Sequence, residues 1–171
     1  MRIETERLII RPFIETDLPA FEELLRMPEL PGWNMQLPRS AEFLKWHIDS
    51  AARMDIARGV VCMGLFEKST GNLVGAAGAG EHDDLHEPEI FYSIAPDSRN
   101  NGYASEACAA VTEWALSTFD IPYIIGTVST DNPASQRVLE KCGYEAINEQ
   151  HLLVHVTGES YDFRYYRKYR K

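Results

Sequence analysis

Residues 89–108 read E-I-F-Y-S-I-A-P-D-S-R-N-N-G-Y-A-S-E-A-C. Ile90 to Ile94 has the apolar and aromatic character of a strand. Pro96 ends it, because proline has no N–H to continue a ladder, and a polar loop follows. Arg99-x-x-Gly102-x-Ala104 puts small residues where the chain turns into a helix, so that the first-turn amides can face a ligand with no side chains in the way. The helix is marked by Ala104, Ala107, Cys108, Val111, Trp114 and Ala115, one apolar stripe at helical spacing. Strand, amide-rich loop and amphipathic helix in this order read either as a cradle for a pyrophosphate or as an ordinary strand-to-helix turn. A single glycine motif does not separate the two.

Upstream, Val60 to Phe66 is a nearly continuous apolar run, the pattern of a strand covered on both faces. The turn at residues 68–72 leads into a second strand, Leu73 to Gly80, and the two predict a hairpin. Its glycines and alanines predict either close packing or a bulge. His82-Asp83-Asp84-Leu85-His86-Glu87 contains metal-ligand residue types but no rigid element to hold them, and it reads as a solvated acidic loop. Closer to the N-terminus, Leu8 to Ile10 predicts a strand, and Asp17 predicts an N-cap for a helix through Leu18, Phe21, Leu24 and Leu25 that stops before Pro28. The loop from Glu29 to Arg39 carries Trp33 and Met35, which either tuck into the core or line a pocket. Ser40 predicts the cap of a second helix, in which His47 reads as a surface or packing residue.

Downstream, Tyr123 to Val128 predicts another buried strand. Pro133 stands at a first helical position and Gly143 at a C-terminal stop. Two alternating segments, 151–156 and 161–165, close the chain as strands. The order is that of an α+β fold around a mixed sheet. The basic end (Arg164, Arg167, Lys168, Arg170, Lys171) with its interleaved tyrosines could be taken for an RNA-binding stripe, and reads more simply as a solvated edge strand with a frayed tail.

At 171 residues the chain is expected to form one domain, 1–171, large enough to bury about 70% of the surface its unfolded form exposes. The net charge of -9 repels nucleic acid and anionic lipid and suits a cationic partner such as an amine. Cys62, Cys108 and Cys142 are odd in number and lie in apolar patterns, as buried thiols of a reducing compartment would; no metal is expected on them. No signal-like leader and no bilayer-length apolar run occur, so a cytoplasmic protein with no membrane partner is expected.

Two segments, P-D-S-R-N-N-G-Y-A-S-E-A at residues 96–107 and N-P-A-S-Q-R-V-L-E-K-C-G-Y at residues 132–144, together resemble the GNAT superfamily of N-acetyltransferases. The opening T-E-R-L-I-I-R-P and the late G-E-S-Y-D-F-R-Y-Y are similar to the branch that acetylates the N-termini of ribosomal proteins, at alanine or serine. The resemblance implies a mostly antiparallel mixed sheet of about seven strands, splayed between the fourth and fifth, with about four flanking helices. It implies acetyl-CoA as cosubstrate, its pyrophosphate wrapped by Arg99, Asn100, Asn101, Gly102, Tyr103, Ala104 and Ser105. The pantetheine arm would lie in the splay, pairing with backbone near Ile94 and Ala95 and with Asn132, and Arg137 would sit near the phosphates.

The implied chemistry is direct attack of a primary amine in a ternary complex, the amine being a protein N-terminus or a small molecule. A lysine-like amine must shed a proton, at about 4–5 kcal/mol at neutral pH, so a base is needed. Glu89 is the candidate, working through water, with Glu87 two residues away on the same face. The N–H of Ile94 or Ala95 is the candidate oxyanion donor. Many superfamily members carry a tyrosine seven residues after the asparagine to protonate the leaving thiolate; here that residue is Leu139, and Ser135 matches the serine of the ribosomal-protein branch. Trp33, Met35 and Glu87 are the candidate acceptor-binding residues. The alternative is an acyl-CoA-binding module of the same fold without turnover. Either a monomer or a homodimer fits the sequence.

Overall fold

The computed structural model describes residues 1–27 and 31–171. Among them are eight strands and five α-helices: β1 (Ile3–Glu4), β2 (Leu8–Pro12), α1 (Leu18–Leu25), α2 (Pro31–Asn34), α3 (Ser40–Arg53), β3 (Val60–Glu67), β4 (Leu73–Glu81), β5 (Pro88–Ile94), α4 (Tyr103–Thr118), β6 (Tyr123–Ser129), α5 (Pro133–Lys141), β7 (Glu145–Val154) and β8 (Glu159–Tyr169). The sequence pattern omits only the two-residue β1 and the one-turn α2, both too short to show a period. Pro28 and Glu29, invoked above as a helix stop and a loop boundary, lie outside the described residues.

One sheet runs β1-β2-β3-β4-β5-β6-β8-β7. Every pairing is antiparallel except β5 with β6, which are parallel and share a single register pair, Glu89 with Ile125. β5 is otherwise laddered to β4 along its length, and β6 likewise to β8. The sheet is therefore two laddered halves that meet at one rung and part beyond it. Leu139 of α5 packs so tightly on β6 that a Cβ at Gly126 would come within 2.8 Å of its Cδ1.

Alternation along β3 feeds two cores. Val61, Met63 and Leu65 join Leu8, Ile10, Val111 and Ile124 on the α4 side. Cys62 joins Phe13, Phe21, Leu25 and Leu44 on the α1–α3 side. Both faces are covered, as the apolar run requires, and each fully buried Phe or Leu contributes about 1.5–3 kcal/mol. The hairpin of β3 and β4 forms with a register shift at Leu65/Phe66.

Three local expectations are corrected by tertiary contacts. Asp17 makes no side-chain cap for α1; its carboxylate accepts from the Arg11 guanidinium (2.7 and 2.9 Å) and from the Ile14 amide (2.9 Å). Ser40 begins α3 without capping it and donates to Glu22 of α1 at 2.6 Å. The basic C-terminal strand is not an edge: β8 inserts between β6 and β7, and the edge is β7.

His47 is the one residue among those described whose buried side-chain nitrogens both lack a partner. It is caged by Phe13, Phe21, Trp33, Phe43 and Trp46, with ring centroids 4.5 to 6.3 Å away. Burial pushes its imidazole down to about 4, so it packs as a neutral ring.

Candidate active site

The site is built where β5 and β6 part. A β-strand exposes successive N–H groups to alternate edges. The Ala95 amide donates to the Val74 carbonyl of β4 at 2.8 Å, so the Ile94 amide, one residue earlier, is aimed into the gap toward β6. That removes Ala95 as an oxyanion donor and leaves Ile94. Across the gap, the Thr127 amide finds no β5 carbonyl and instead donates to Glu89 Oε1 at 3.0 Å, and the Thr127 hydroxyl donates to the same oxygen at 2.6 Å. A side-chain carboxylate thus completes the interrupted ladder. Glu89 Oε2 has no hydrogen-bond partner among the described residues. Desolvation pushes the Glu89 carboxyl above the usual carboxylate range, although the Thr127 bonds and the charge of His82 oppose the shift.

Glu89 borders a cavity of about 220 Å³ with Phe91, Tyr92, Thr127, Ser135 and Leu139 among its walls. Beyond it lies a larger one of about 740 Å³, lined by Ile94, the loop and first turn of α4 and the start of α5. Of the residues expected in a cradle, Ile94, Arg99, Asn100, Gly102, Tyr103, Ala104, Ser105, Asn132 and Arg137 all border this cavity, and Lys141 adds a third cation to Arg99 and Arg137. Gly102 is the N-cap of α4 at φ +80°, a left-handed conformation natural to glycine, and an added Cβ would sit 3.2 Å from the Arg7 guanidinium. Ala95 and Asn101 do not line it. Asn101 braces the loop, its side-chain amide donating to the Ser98 and Arg99 carbonyls at 3.1 and 3.3 Å.

Several supports were not legible. Arg7 donates to the Asn101 carbonyl at 2.6 Å and pairs with Glu106 of α4 at 2.7 Å, holding the loop to the helix. The Arg99 Nε donates to the Ile94 carbonyl at 3.0 Å, tying the loop to β5. The Asn132 side-chain oxygen accepts from the Ser135 amide at 3.1 Å and so caps α5. Tyr92, read above only as part of a strand, has its hydroxyl 2.8 Å from Ser135 Oγ.

The acceptor-side residues are not assembled as expected. Glu87 is committed: it accepts from the Tyr165 hydroxyl at 2.6 Å and pairs with Arg167 at 3.3 Å, while that guanidinium lies 4.1 Å from the Tyr123 ring centroid. It is a structural carboxylate there, poorly suited to substitute for Glu89. Trp33 packs against Phe21 and Phe43, and Met35 is exposed; neither lines either cavity. In the acidic loop, His82 Nδ1 accepts from the Asp84 amide at 3.1 Å, and Asp84 pairs with His155 at the β7–β8 tip at 2.8 Å. Among the described residues no group of three His, Cys, Asp or Glu side chains could hold a metal, and no helix is long and apolar enough to cross a membrane.

Comparison with known proteins agrees with this geometry. The chain is 28% identical over 166 residues, 96% of its length and 94% of the relative's, to the uncharacterized N-acetyltransferase YoaA of Bacillus subtilis (strain 168). Its fold matches a GNAT-family acetyltransferase of Bacillus anthracis with a TM-score of 0.81 at 24% identity, covering 99% of this chain and 98% of that one. It also matches RimL, a ribosomal-protein alpha-N-acetyltransferase solved with coenzyme A disulfide-bonded to a cysteine, with a TM-score of 0.78 at 15% identity, covering 99% and 98%. At those identities the two structural likenesses speak for the fold alone. The sequence profile of the acetyltransferase (GNAT) domain matches residues 7–145, which include both parted strands, β5 and β6, and the helix between them, and the chain belongs to the GNAT family of acetyltransferases.

Proposed function

We propose that residues 1–171 act as one domain that moves the acetyl group of acetyl-CoA to a primary amine by direct attack in a ternary complex. The observation that carries this is the adjacency of two cavities that share Tyr92 and Ser135 as walls: a cationic cradle at the mouth of α4 lies beside a gap bordered by a desolvated carboxylate. The cradle suits the diphosphate of acetyl-CoA, because the left-handed glycine clears the helix mouth and Arg99, Arg137 and Lys141 supply charge that the chain as a whole lacks. Acetyl-CoA brings an activated acyl carbon and a thiolate leaving group.

Glu89 Oε2 is the base that receives the proton shed by the amine, by way of water, while Thr127 holds Oε1. The Ile94 amide faces the negative charge that gathers on the acyl oxygen. The Ser135 hydroxyl meets the charge on the departing sulfur, and Asn132, which caps α5, fixes Ser135 in place. Cysteine takes no part: Cys62, Cys108 and Cys142 are free and buried, which also suits a cytoplasmic, reducing setting.

The acceptor we favour is a protein N-terminal α-amine. Its pKa of about 7.7–8.0 leaves roughly 1 kcal/mol of deprotonation at pH 7, against about 4–5 kcal/mol for a lysine-like amine, and a carboxylate base matches the smaller demand. The likeness to the ribosomal-protein enzyme among the structural neighbours speaks for the fold. The test is release of free thiol from acetyl-CoA in the presence of peptides with free N-termini, N-blocked lysine peptides and small amines. Turnover with free-N-terminal peptides supports the reading. Coenzyme A binding without thiol release from any acceptor would make the chain a binding module.

A further inference from the structure

Of all the residues bordering the two cavities, Tyr92 and Ser135 alone border both. The pair therefore stands where the cradle meets the gap, on the way from the diphosphate site to Glu89. Three hydroxyls line the gap, those of Tyr92, Thr127 and Ser135, and that of Thr127 is spent on Glu89. The wall residue at position 139 is an apolar leucine, buried to 1% exposure.

Tyr92 has one hydroxyl hydrogen and two acceptors within reach, Ser135 Oγ at 2.8 Å and the Ser135 carbonyl at 3.2 Å. Either hydroxyl can donate across the shorter contact, and when Tyr92 donates, the serine keeps its own hydrogen for another partner. We infer that Tyr92 is a positioning residue for acetyl transfer: by donating to Ser135 Oγ it turns the serine's own hydroxyl hydrogen toward the junction, where that hydrogen meets the sulfur as the C–S bond breaks. This rests on the transferase reading above and assigns the half of the site that faces the leaving group.

The step balances as follows in this site. The amine nitrogen forms the N–C bond and loses a proton to Glu89, and the C–S electron pair goes to sulfur. The Tyr92–Ser135 pair holds that charge by hydrogen bonding, and the proton that completes the thiol is the one the amine shed, returned through Glu89 and water. Full proton transfer from Tyr92 is not needed. Burial drives its phenol well above the ordinary range, so it keeps its hydrogen. Tyr92 is half-buried against the core, which fixes where its hydroxyl stands.

The test uses the full chain and coenzyme A itself. The ionisation of bound coenzyme A thiol is followed by thiolate ultraviolet absorbance as pH rises. Tyr92→Phe and Ser135→Ala should each raise the apparent pKa of the bound thiol by about one unit. With an active acceptor, Tyr92→Phe should lower kcat about tenfold with KM for acetyl-CoA changed less than about twofold. The double variant should be no worse than Ser135→Ala, because the two act as one unit. An unmoved thiol titration in Tyr92→Phe, or effects that multiply, overturns the inference. Should Tyr92→Phe fail to fold, the same titration on Tyr92→Leu takes its place, and an unmoved thiol pKa there overturns the inference. Wild-type protein that binds coenzyme A but acetylates nothing overturns the transferase reading alone, because the thiol titration requires no turnover.

Discussion

Replacing Thr127 by valine removes one hydrogen bond and little else. The substitution keeps the β-branched shape that suits β6, and the backbone amide still donates to Glu89 Oε1 at 3.0 Å. What goes is the hydroxyl bond at 2.6 Å to the same oxygen. A hydrogen bond to a charged group is worth about 1.5–3 kcal/mol, and one pKa unit is about 1.4 kcal/mol, so the carboxyl should rise by about one to two units. Its pKa already lies above the ordinary range because the gap desolvates it. A base works deprotonated, so the rate climbs with pH through the Glu89 pKa, and the variant's acid limb must move to higher pH. The assay is kcat against pH for wild type and Thr127→Val with one acceptor, so that the acceptor's own titration is common to both. The expected result is a shifted limb with the rate recovered on the plateau. A uniform loss at every pH, or a limb that does not move, would refute the reasoning that Thr127 tunes Glu89.

Two further outcomes follow from the same contacts. His47 is neutral in the folded chain at about 4, while an unfolded histidine titrates near 6.5, so its contribution is unaffected above that value and lost as pH falls from about 6.5 to about 4. The loss is roughly 3 kcal/mol, and His47→Phe should flatten this part of the stability–pH curve measured by urea unfolding; an unchanged slope contradicts it. Arg167→Met strands Glu87 beside Tyr165 without its cation and should cost about 2 kcal/mol in the same unfolding assay at neutral pH, whereas a neutral result would mean that solvent replaces the pair.

How much of this was legible in the sequence depends on whether a residue's neighbours are near it along the chain. Gly102, Pro133 and Gly143 announce themselves because turns and helix ends demand particular backbone conformations; Gly102 and Gly143 both have φ +80°. The double-faced run of β3 was legible for the same reason, since coverage on both faces leaves an unbroken apolar string. The place of β8 was not, because alternation tells which face a residue takes and says nothing about which strand lies beside it. Asp17 and Ser40 have the residue types of helix caps, yet Arg11 and Glu22, brought close by the fold, claim their oxygens. Glu87 shares a strand face with Glu89 in the sequence, but Arg167, 80 residues away, pairs with it. An aromatic in a strand reads as core, so Tyr92 was hidden until its hydroxyl was seen beside Ser135.

The account depends on main-chain amides at the mouth of α4 gripping a diphosphate. Valine at position 102 would carry a β-branched side chain at φ +80°, a conformation that costs about 1–2 kcal/mol, and would crowd the Arg7 guanidinium. Calorimetric titration of coenzyme A into wild type and Gly102→Val, with a thermal melt to verify folding, is the most direct test. The amide cradle predicts an affinity loss of roughly a hundredfold or more, equivalent to two charge-assisted hydrogen bonds. A folded Gly102→Val that binds coenzyme A as tightly as wild type would contradict it.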